Sequence, residues 1–342
     1  MPSLVSIDEI RASAARLDGV AFRTPLVPFP GADPRLLLKA ESLQPTGSFK
    51  LRGAYAAISA LPAEVRARGV VAHSSGNHAG AVAYAAALLG VSATVVVPDN
   101  APPVKLDPVR RLGARIVVTQ PSLTARVAAT EDLVRRHGYA LIPPFDDRAV
   151  IAGQGTIGLE IAADLPGADQ VVVPVGGGGL ISGIAAAIRA LSPGTRVIGA
   201  EPELAADARD SFRSGRQVAW LARDTQRTIA DALRVEQVGA LPLQHLLSQV
   251  DDIVTVTADE IREAVRRIAV QARLVAEPAG AVAVAACLFR QRELPAARTR
   301  VAVLSGGNID PARLAAMLTA GGTGAGEDGV AGAGRTGGPR PA

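Results

Sequence analysis

The chain has 342 residues, 48% hydrophobic and 20% charged, and its 36 Lys plus Arg against 32 Asp plus Glu leave a formal net charge of +4. This composition supports a large core and excludes general disorder, and the charge surplus is too small to indicate a nucleic-acid binder. No apolar run reaches the roughly 20 residues of a membrane-spanning helix, and the start, MPSLVSIDEIRASAARLDGV, lacks the apolar centre of a signal peptide, so a cytoplasmic protein is expected. The single cysteine, Cys287, forms no internal disulfide, and His73, His78, His137 and His245 lack zinc-ligand spacing. Only three of the basic residues are lysines, at positions 39, 50 and 105, which leaves few amines for covalent chemistry.

In chain order, Ser6 with Glu9 forms a capping box ahead of an apolar stripe of Ile7, Ile10, Ala14 and Leu17, which predicts a surface helix. LLLKAE (36 to 41) reads as a buried strand, QPTGSFK as a turn, and LRGAYAAISAL (51 to 61) as a helix. The runs VVAHSS, ATVVVP, ARIVVTQ, VVVPVGGGG, RVIGAE, DIVTVT and RVAVLSGG then alternate with Ala-rich helical stretches, the pattern of α/β architecture with buried parallel sheets. Several of these strands end in small or polar residues where a helix begins, the place where open α/β sheets hold ligands. Nine glycines in 321 to 342 predict a disordered tail from about residue 319.

Four strand ends carry candidate chemistry. Thr46-Gly47-Ser48-Phe49-Lys50 sets a lysine at the start of a helix, where the positive dipole end and partial desolvation lower an amine pKa; a surface lysine is the alternative. The turn His73-Ser74-Ser75-Gly76-Asn77-His78 offers backbone amides to a carboxylate, or merely caps a helix. Val175-Gly176-Gly177-Gly178-Gly179-Leu180 costs conformational entropy, which is explained if amides must approach a phosphate closely. Its contiguous glycines differ from the dinucleotide-binding fingerprint, which argues against a nucleotide-binding dehydrogenase. Leu304-Ser305-Gly306-Gly307-Asn308 closes the last strand and by itself could be only a turn.

Together these segments resemble the fold type II pyridoxal-phosphate enzymes, and within them the threonine dehydratase and serine racemase group. The resemblance runs from Arg23-Thr24-Pro25-Leu26 to Asn308 through LKAESLQPTGSFKLRGA, SSGNH, IAGQGTIGLEI, GGGG, TIADALR, EPAGA and SGGN. It implies a fold like the tryptophan synthase β subunit, with two open twisted α/β domains and the cofactor in the cleft between them. By the same resemblance Lys50 would bind pyridoxal 5'-phosphate as an imine and later move the α-proton, and Phe49 would pack on the ring. Gly176, Gly177, Gly178, Gly179 and Leu180 would bind the phosphate, Asn77 the ring hydroxyl and Ser305 the ring nitrogen. Ser74, Ser75, Gly76, Asn77 and His78 would grip the substrate carboxylate, with Ser75 facing Lys50 across the substrate as a second catalytic group. Glu201, Ala205 and Asp207 match the positions at which racemase-like members hold Mg2+ or Ca2+; a solvated acidic loop is the alternative.

Pro144-Phe145-Asp146-Asp147 looks like the threonine dehydratase form rather than the racemase form, whereas Ser75 matches racemases and catabolic dehydratases. The segment Gln120 to Arg126 lacks an arginine at the place soon after this strand where many members have one, its only arginine being the last residue. The expected activity is dehydration and deamination of L-threonine, and also L-serine, to 2-oxobutanoate or pyruvate plus ammonia. Serine racemase, 3-hydroxyaspartate dehydratase and a non-catalytic amino-acid or cofactor-binding protein are the alternatives. The expected partners are a small amino acid and further copies of the chain, as homodimer or homotetramer, with no nucleic acid and no membrane. The expected domains are 1–65 with 146–318, and a smaller mobile unit over 66–145.

Overall fold

The Val- and Ile-rich runs all form strands. The computed structural model describes residues 3–74, 76–101 and 103–319, and of residues 103–105 the backbone only. The expected glycine-rich tail therefore lies, except for Thr319, outside the described residues. The strands are β1 (Leu26–Phe29), β2 (Arg35–Ala40), β3 (Val70–His73), β4 (Ala93–Pro98), β5 (Arg115–Thr119), β6 (Ala140–Leu141), β7 (Gln170–Pro174), β8 (Arg196–Pro202), β9 (Asp252–Val256) and β10 (Thr299–Leu304).

They build two sheets, one in the order β1-β2-β10-β7-β8-β9 and one in the order β5-β4-β3-β6. All pairings are parallel except β1 with β2, whose short connection suits a hairpin and is too short for a crossover helix. The expectation of parallel sheets holds apart from this hairpin; β1 and β6 are too short to signal themselves by composition. In the smaller sheet the side chains alternate: Val70, Ala72, Val95 and Val97 face the Asn77–Leu88 helix, and Val71 and Val96 face Leu133. The capping box of Ser6 and Glu9 forms as the sequence predicts, opening the Ile7–Leu17 helix.

Because β10 lies between β2 and β7, the segments that leave the carboxyl ends of these three strands emerge side by side. They are the turn before Lys50, the Ser305 segment and the glycine loop. A helix at Arg148–Asp164 fixes two of them to one another. A Cβ at Gly153 would come within 2.6 Å of the Arg52 carbonyl in the Lys50–Ala60 helix, and one at Gly183 in the Gly179–Leu191 helix within 2.3 Å of the Ile151 carbonyl. The glycines of IAGQGTIG thus serve close helix packing.

A buried ionic network reinforces this joint. Arg52 donates to both Glu41 oxygens at 2.9 Å and to Glu160 at 2.6 and 2.9 Å. Lys39 donates to Glu160 at 2.5 Å and to the Thr24 carbonyl at 2.6 Å, and the Thr24 hydroxyl donates to Glu41 at 2.6 Å. Burial alone would push the Glu41 carboxyl up, but Arg52, Thr24 and Lys39 outweigh it and hold the group below its ordinary value. No helix among the described residues is long and apolar enough to cross a membrane.

Candidate active site

Lys50 is the first residue of its helix, and main-chain bonds to the β10 segment fix the turn before it. The Phe49 amide donates to the Ser305 carbonyl at 3.1 Å, the Gly307 amide to the Gly47 carbonyl at 2.9 Å, and Ser48 bridges to Gly306. Lys50 Nζ donates to the Pro144 carbonyl at 2.6 Å and lies 5.0 Å from the centre of the Phe49 ring. Burial lowers this amine from its usual range to about 8, so roughly a tenth is uncharged and nucleophilic at pH 7, far more than for an ordinary lysine. Lys39 is instead enclosed among acceptors, and the side chain of Lys105 is outside the described residues.

The glycine loop follows β7 and opens the Gly179–Leu191 helix, with Gly178 at φ +89° as the N-cap. The first-turn amides have no acceptor within the helix, and the helix dipole adds positive potential, so an anion suits this end. The structure also gives a steric reason for the glycines that sequence reasoning missed. A Cβ at Gly177 would sit 2.2 Å from the Phe145 ring, and one at Gly178 2.7 Å from Pro242. Gly176 packs near Leu233, while Leu180 is buried in the core beside Val173 and Val303, so its side chain is packing and its main chain faces the loop. Close packing of the protein's own side chains therefore already demands glycine here, apart from any phosphate.

In the second segment Ser75 lies outside the described residues. The Ser74 hydroxyl accepts from the Gly76 amide at 3.2 Å, which shapes the turn, and Gly76 is exposed. His78 points inward, with Nε2 2.8 Å from the Ile142 carbonyl; burial, then the nearby Lys50 charge, pushes its imidazole down to about 3. It is a neutral core histidine that offers only its main chain to the loop. Asn77 crosses between the two sheets: its Nδ2 donates to Glu277 at 2.5 Å and its Oδ1 accepts from Asn308 at 2.8 Å. Ser305 is buried at the end of β10 beside the Phe49 backbone.

Pro144, Glu277 and Asn308 are site residues that the sequence reading left without a role, although EPAGA and SGGN contain two of them. Arg126 is another. It sits half-buried on the Leu123–His137 helix, where burial lowers its guanidinium while Glu236 raises it, and its charge pushes His73 further down after burial. A cation is therefore present near the end of β3 despite the atypical spacing from β5.

Glu201, Ala205 and Asp207 come together at the end of β8 and are all buried. Glu201 accepts from the Ala208 amide at 3.2 Å and the Arg209 amide at 2.8 Å. Neither Asp207 oxygen has a well-formed hydrogen bond among the described residues, the nearest support being the Asp207 and Val238 amides. Burial and then the charge of Asp207 push the Glu201 carboxyl well up; burial, with Asp210, raises Asp207. Two buried carboxyls that offer only oxygen donors, with the Arg209 charge answering Glu201 in part, fit a hard divalent ion. No group of three or more His, Cys, Asp or Glu residues suited to a metal occurs among the described residues, so main-chain carbonyl and water would complete the set.

The chain is 42% identical over 312 residues to an L-threonine ammonia-lyase of Thermotoga maritima, covering 90% of this chain and 76% of the relative. It is 40% identical over 285 residues to an L-threo-3-hydroxyaspartate ammonia-lyase of Saccharomyces cerevisiae, covering 83% and 86%. The structure of maize serine racemase superposes with a TM-score of 0.87 at 36% identity, covering 91% of this chain and 96% of the maize chain. The family model described as pyridoxal-phosphate dependent enzyme matches residues 17–306. With that match running from ahead of β1 through both sheets to Gly306, the chain belongs to the family of pyridoxal-phosphate-dependent enzymes.

Proposed function

We propose that this chain is an ammonia-lyase that eliminates water from L-threonine, and also from L-serine, to give 2-oxobutanoate or pyruvate and ammonia. The observation that carries the reading is Lys50, an amine lowered to about 8 by burial and bonded to one neutral carbonyl. The names of the relatives support the substrate class: threonine and hydroxyaspartate ammonia-lyases and serine racemases all act on, or are named for, small amino acids.

When bound, pyridoxal phosphate supplies the electron sink for the bond broken at the substrate α-carbon. Lys50 would hold the cofactor, and its amine would take the α-proton of the substrate. Phe49 packs on the ring, Asn77 donates to the ring oxygen, the amides of Gly176 to Leu180 receive the phosphate, and Ser305 meets the ring nitrogen with a hydroxyl. A hydroxyl does not hold that nitrogen protonated, which weakens the sink and favours elimination over transamination. Loss of the α-proton and the β-hydroxyl leaves an enamine acid, which tautomerises and adds water to yield the 2-oxo acid and ammonia. The turn from Ser74 to His78 would receive the substrate carboxylate, and Ser75, which lies outside the described residues, would be the group opposite Lys50.

The proposed moving unit is 66–145, closing on 1–65 with 146–318 to exclude water. A cytoplasmic homodimer or homotetramer completes the proposal. Glu201, the Ala205 carbonyl and Asp207 would hold Mg2+ or Ca2+. Because both carboxyls are raised in the folded chain, they favour folding at low pH and lose that contribution as pH rises through about 7, where Asp207 ionises. Added cation should therefore raise the melting temperature of chelator-treated protein most above that pH; no response at any pH would leave the pair as a buried acidic loop without a metal.

Turnover on L- and D-threonine, L- and D-serine and 3-hydroxyaspartate, with oxo acid and chirality both recorded, tests the activity. Oxo acid from L-threonine and L-serine is the expected result. Inversion without oxo acid would establish a racemase, preference for 3-hydroxyaspartate a different lyase, and a cofactor band with no turnover a binding protein. If Ser75 carries the opposite-face proton, Ser75→Ala abolishes D-serine turnover and inversion while L-threonine dehydration falls less.

A further inference from the structure

A side-chain amide has a nitrogen end and an oxygen end, and which one faces the cofactor decides whether it donates or accepts. At Asn77 that choice is imposed from two directions. Glu277 stands at the N-cap of the Pro278–Phe289 helix, and its carboxylate only accepts, so the Asn77 atom 2.5 Å from Oε1 must be the nitrogen. Asn308 donates from its own nitrogen to the Thr46 carbonyl at 2.8 Å, and a backbone carbonyl likewise only accepts. The same Asn308 nitrogen then meets the Asn77 oxygen at 2.8 Å. Donation runs from Asn308 through Asn77 to Glu277, and neither end of the chain can invert. Glu277 is tied to the same segment: its amide donates to the Gly306 carbonyl at 3.1 Å, and its Oε1 lies against Gly306, where an added Cβ would come within 2.3 Å. The three side chains thereby join the first residue of the Asn77–Leu88 helix to the turn before Lys50 and to the segment after β10.

We propose that Glu277 is a positioning residue for the cofactor: with Asn308 it orients the Asn77 amide so that its second N–H faces the ring oxygen of pyridoxal phosphate. This rests on the reading that Asn77 addresses that oxygen. An N–H donor favours the deprotonated ring oxygen, and an amide turned the other way would accept and favour the protonated one. The form present is read directly from the absorption spectrum of the bound cofactor, because protonating the ring oxygen moves the band from the visible to the near ultraviolet.

The experiment compares the cofactor-loaded parent with Glu277→Gln and Asn308→Ala at one pH. Glutamine keeps the shape but can present either a donor or an acceptor, which releases the Asn77 flip. We expect intensity to move from the visible to the near-ultraviolet band in Glu277→Gln and, to a smaller extent, in Asn308→Ala. Turnover at saturating substrate should fall by about tenfold in Glu277→Gln, as expected for one charge-assisted hydrogen bond, with KM much less affected. Glu277→Asp, which keeps the acceptor, should regain part of the visible band. Spectra of both variants matching the parent would overturn the proposal; if Glu277→Gln does not fold, an unchanged spectrum in Asn308→Ala alone does so. Failure of the underlying reading looks different: the parent itself would take up no pyridoxal phosphate, or borohydride reduction would fix it elsewhere than on Lys50.

Discussion

Lys39 lies within β2 and Lys50 opens the helix that follows, and both amines are withdrawn from bulk water, yet the chain treats them in opposite ways. Lys39 is fully buried with the Glu160 carboxylate at 2.5 Å and the Thr24 carbonyl at 2.6 Å, so acceptors surround its amine and one of them carries the opposite charge. Lys50 meets a neutral carbonyl and an aromatic ring, and burial without a counter-charge leaves its amine at about 8. The difference teaches that low exposure alone makes a lysine neither structural nor reactive; the sign of what surrounds it does. The acidic side repeats the contrast. Glu41 is buried against Arg52 and stays ionised, whereas Glu201 and Asp207 are buried against each other and are pushed up.

The same substitution at both lysines separates the two roles. Lys50→Met should reduce turnover by about a thousandfold or more while the melting temperature of the cofactor-free protein does not fall, since an unpaired buried amine is replaced by an apolar chain of similar volume. Kinetics and calorimetry on the one variant check both halves, and retained activity would remove Lys50 from the chemistry. A pH series sharpens the comparison next. The rate at which cofactor-free protein takes up pyridoxal phosphate should climb about tenfold per pH unit and flatten above about 8, where Lys50 is mostly neutral. A rate still climbing towards 10.5 would mean that burial leaves this amine unshifted. Lys39→Met should do the reverse of Lys50→Met, costing about 3 kcal/mol by leaving Glu160 short of a partner in a buried network. Denaturant titration measures it, and a loss below about 1 kcal/mol would show that Arg52 suffices for both carboxylates. The smallest effect is expected at the glycine loop. Gly177→Ala should cost about 1 to 3 kcal/mol because its Cβ meets the Phe145 ring, and Phe145→Ala in the same chain should recover much of that. A cycle with no coupling would return the glycine requirement to the phosphate alone.

Much of the architecture was legible because buried parallel strands are runs of Val and Ile: β7 and β10 show themselves in VVVP and VAVL. The hairpin of β1 with β2 did not, since LVPF is four residues with an internal proline. At the site, the placement of Lys50 ahead of a helix and of the glycines after β7 could be read from local order alone. What could not be read are relations across the chain. Nothing local in SSGNH says that Asn77 will meet Glu277, nothing in PPFDD says that Phe145 will press on Gly177, and the roles of Glu160 and Arg126 depend on helix packing over more than a hundred residues. Such partners are set by the order of strands in the sheet, which hydrophobic periodicity does not encode.

The joint between the Lys50–Ala60, Arg148–Asp164 and Gly179–Leu191 helices has a mechanical consequence. Its closest approaches run through Gly153 to the Arg52 carbonyl and through Gly183 to the Ile151 carbonyl, which are main-chain atoms. Main chain has no rotamers, so the distance from the amine-bearing helix to the glycine-loop end of the Gly179–Leu191 helix is not blurred by the hopping of side chains that softens an ordinary core. The assembly behaves as a gauge: the spacing between the amine and the glycine-loop end of its neighbouring helix is held by a stack of backbones, and only a bend in one of three helices can alter it.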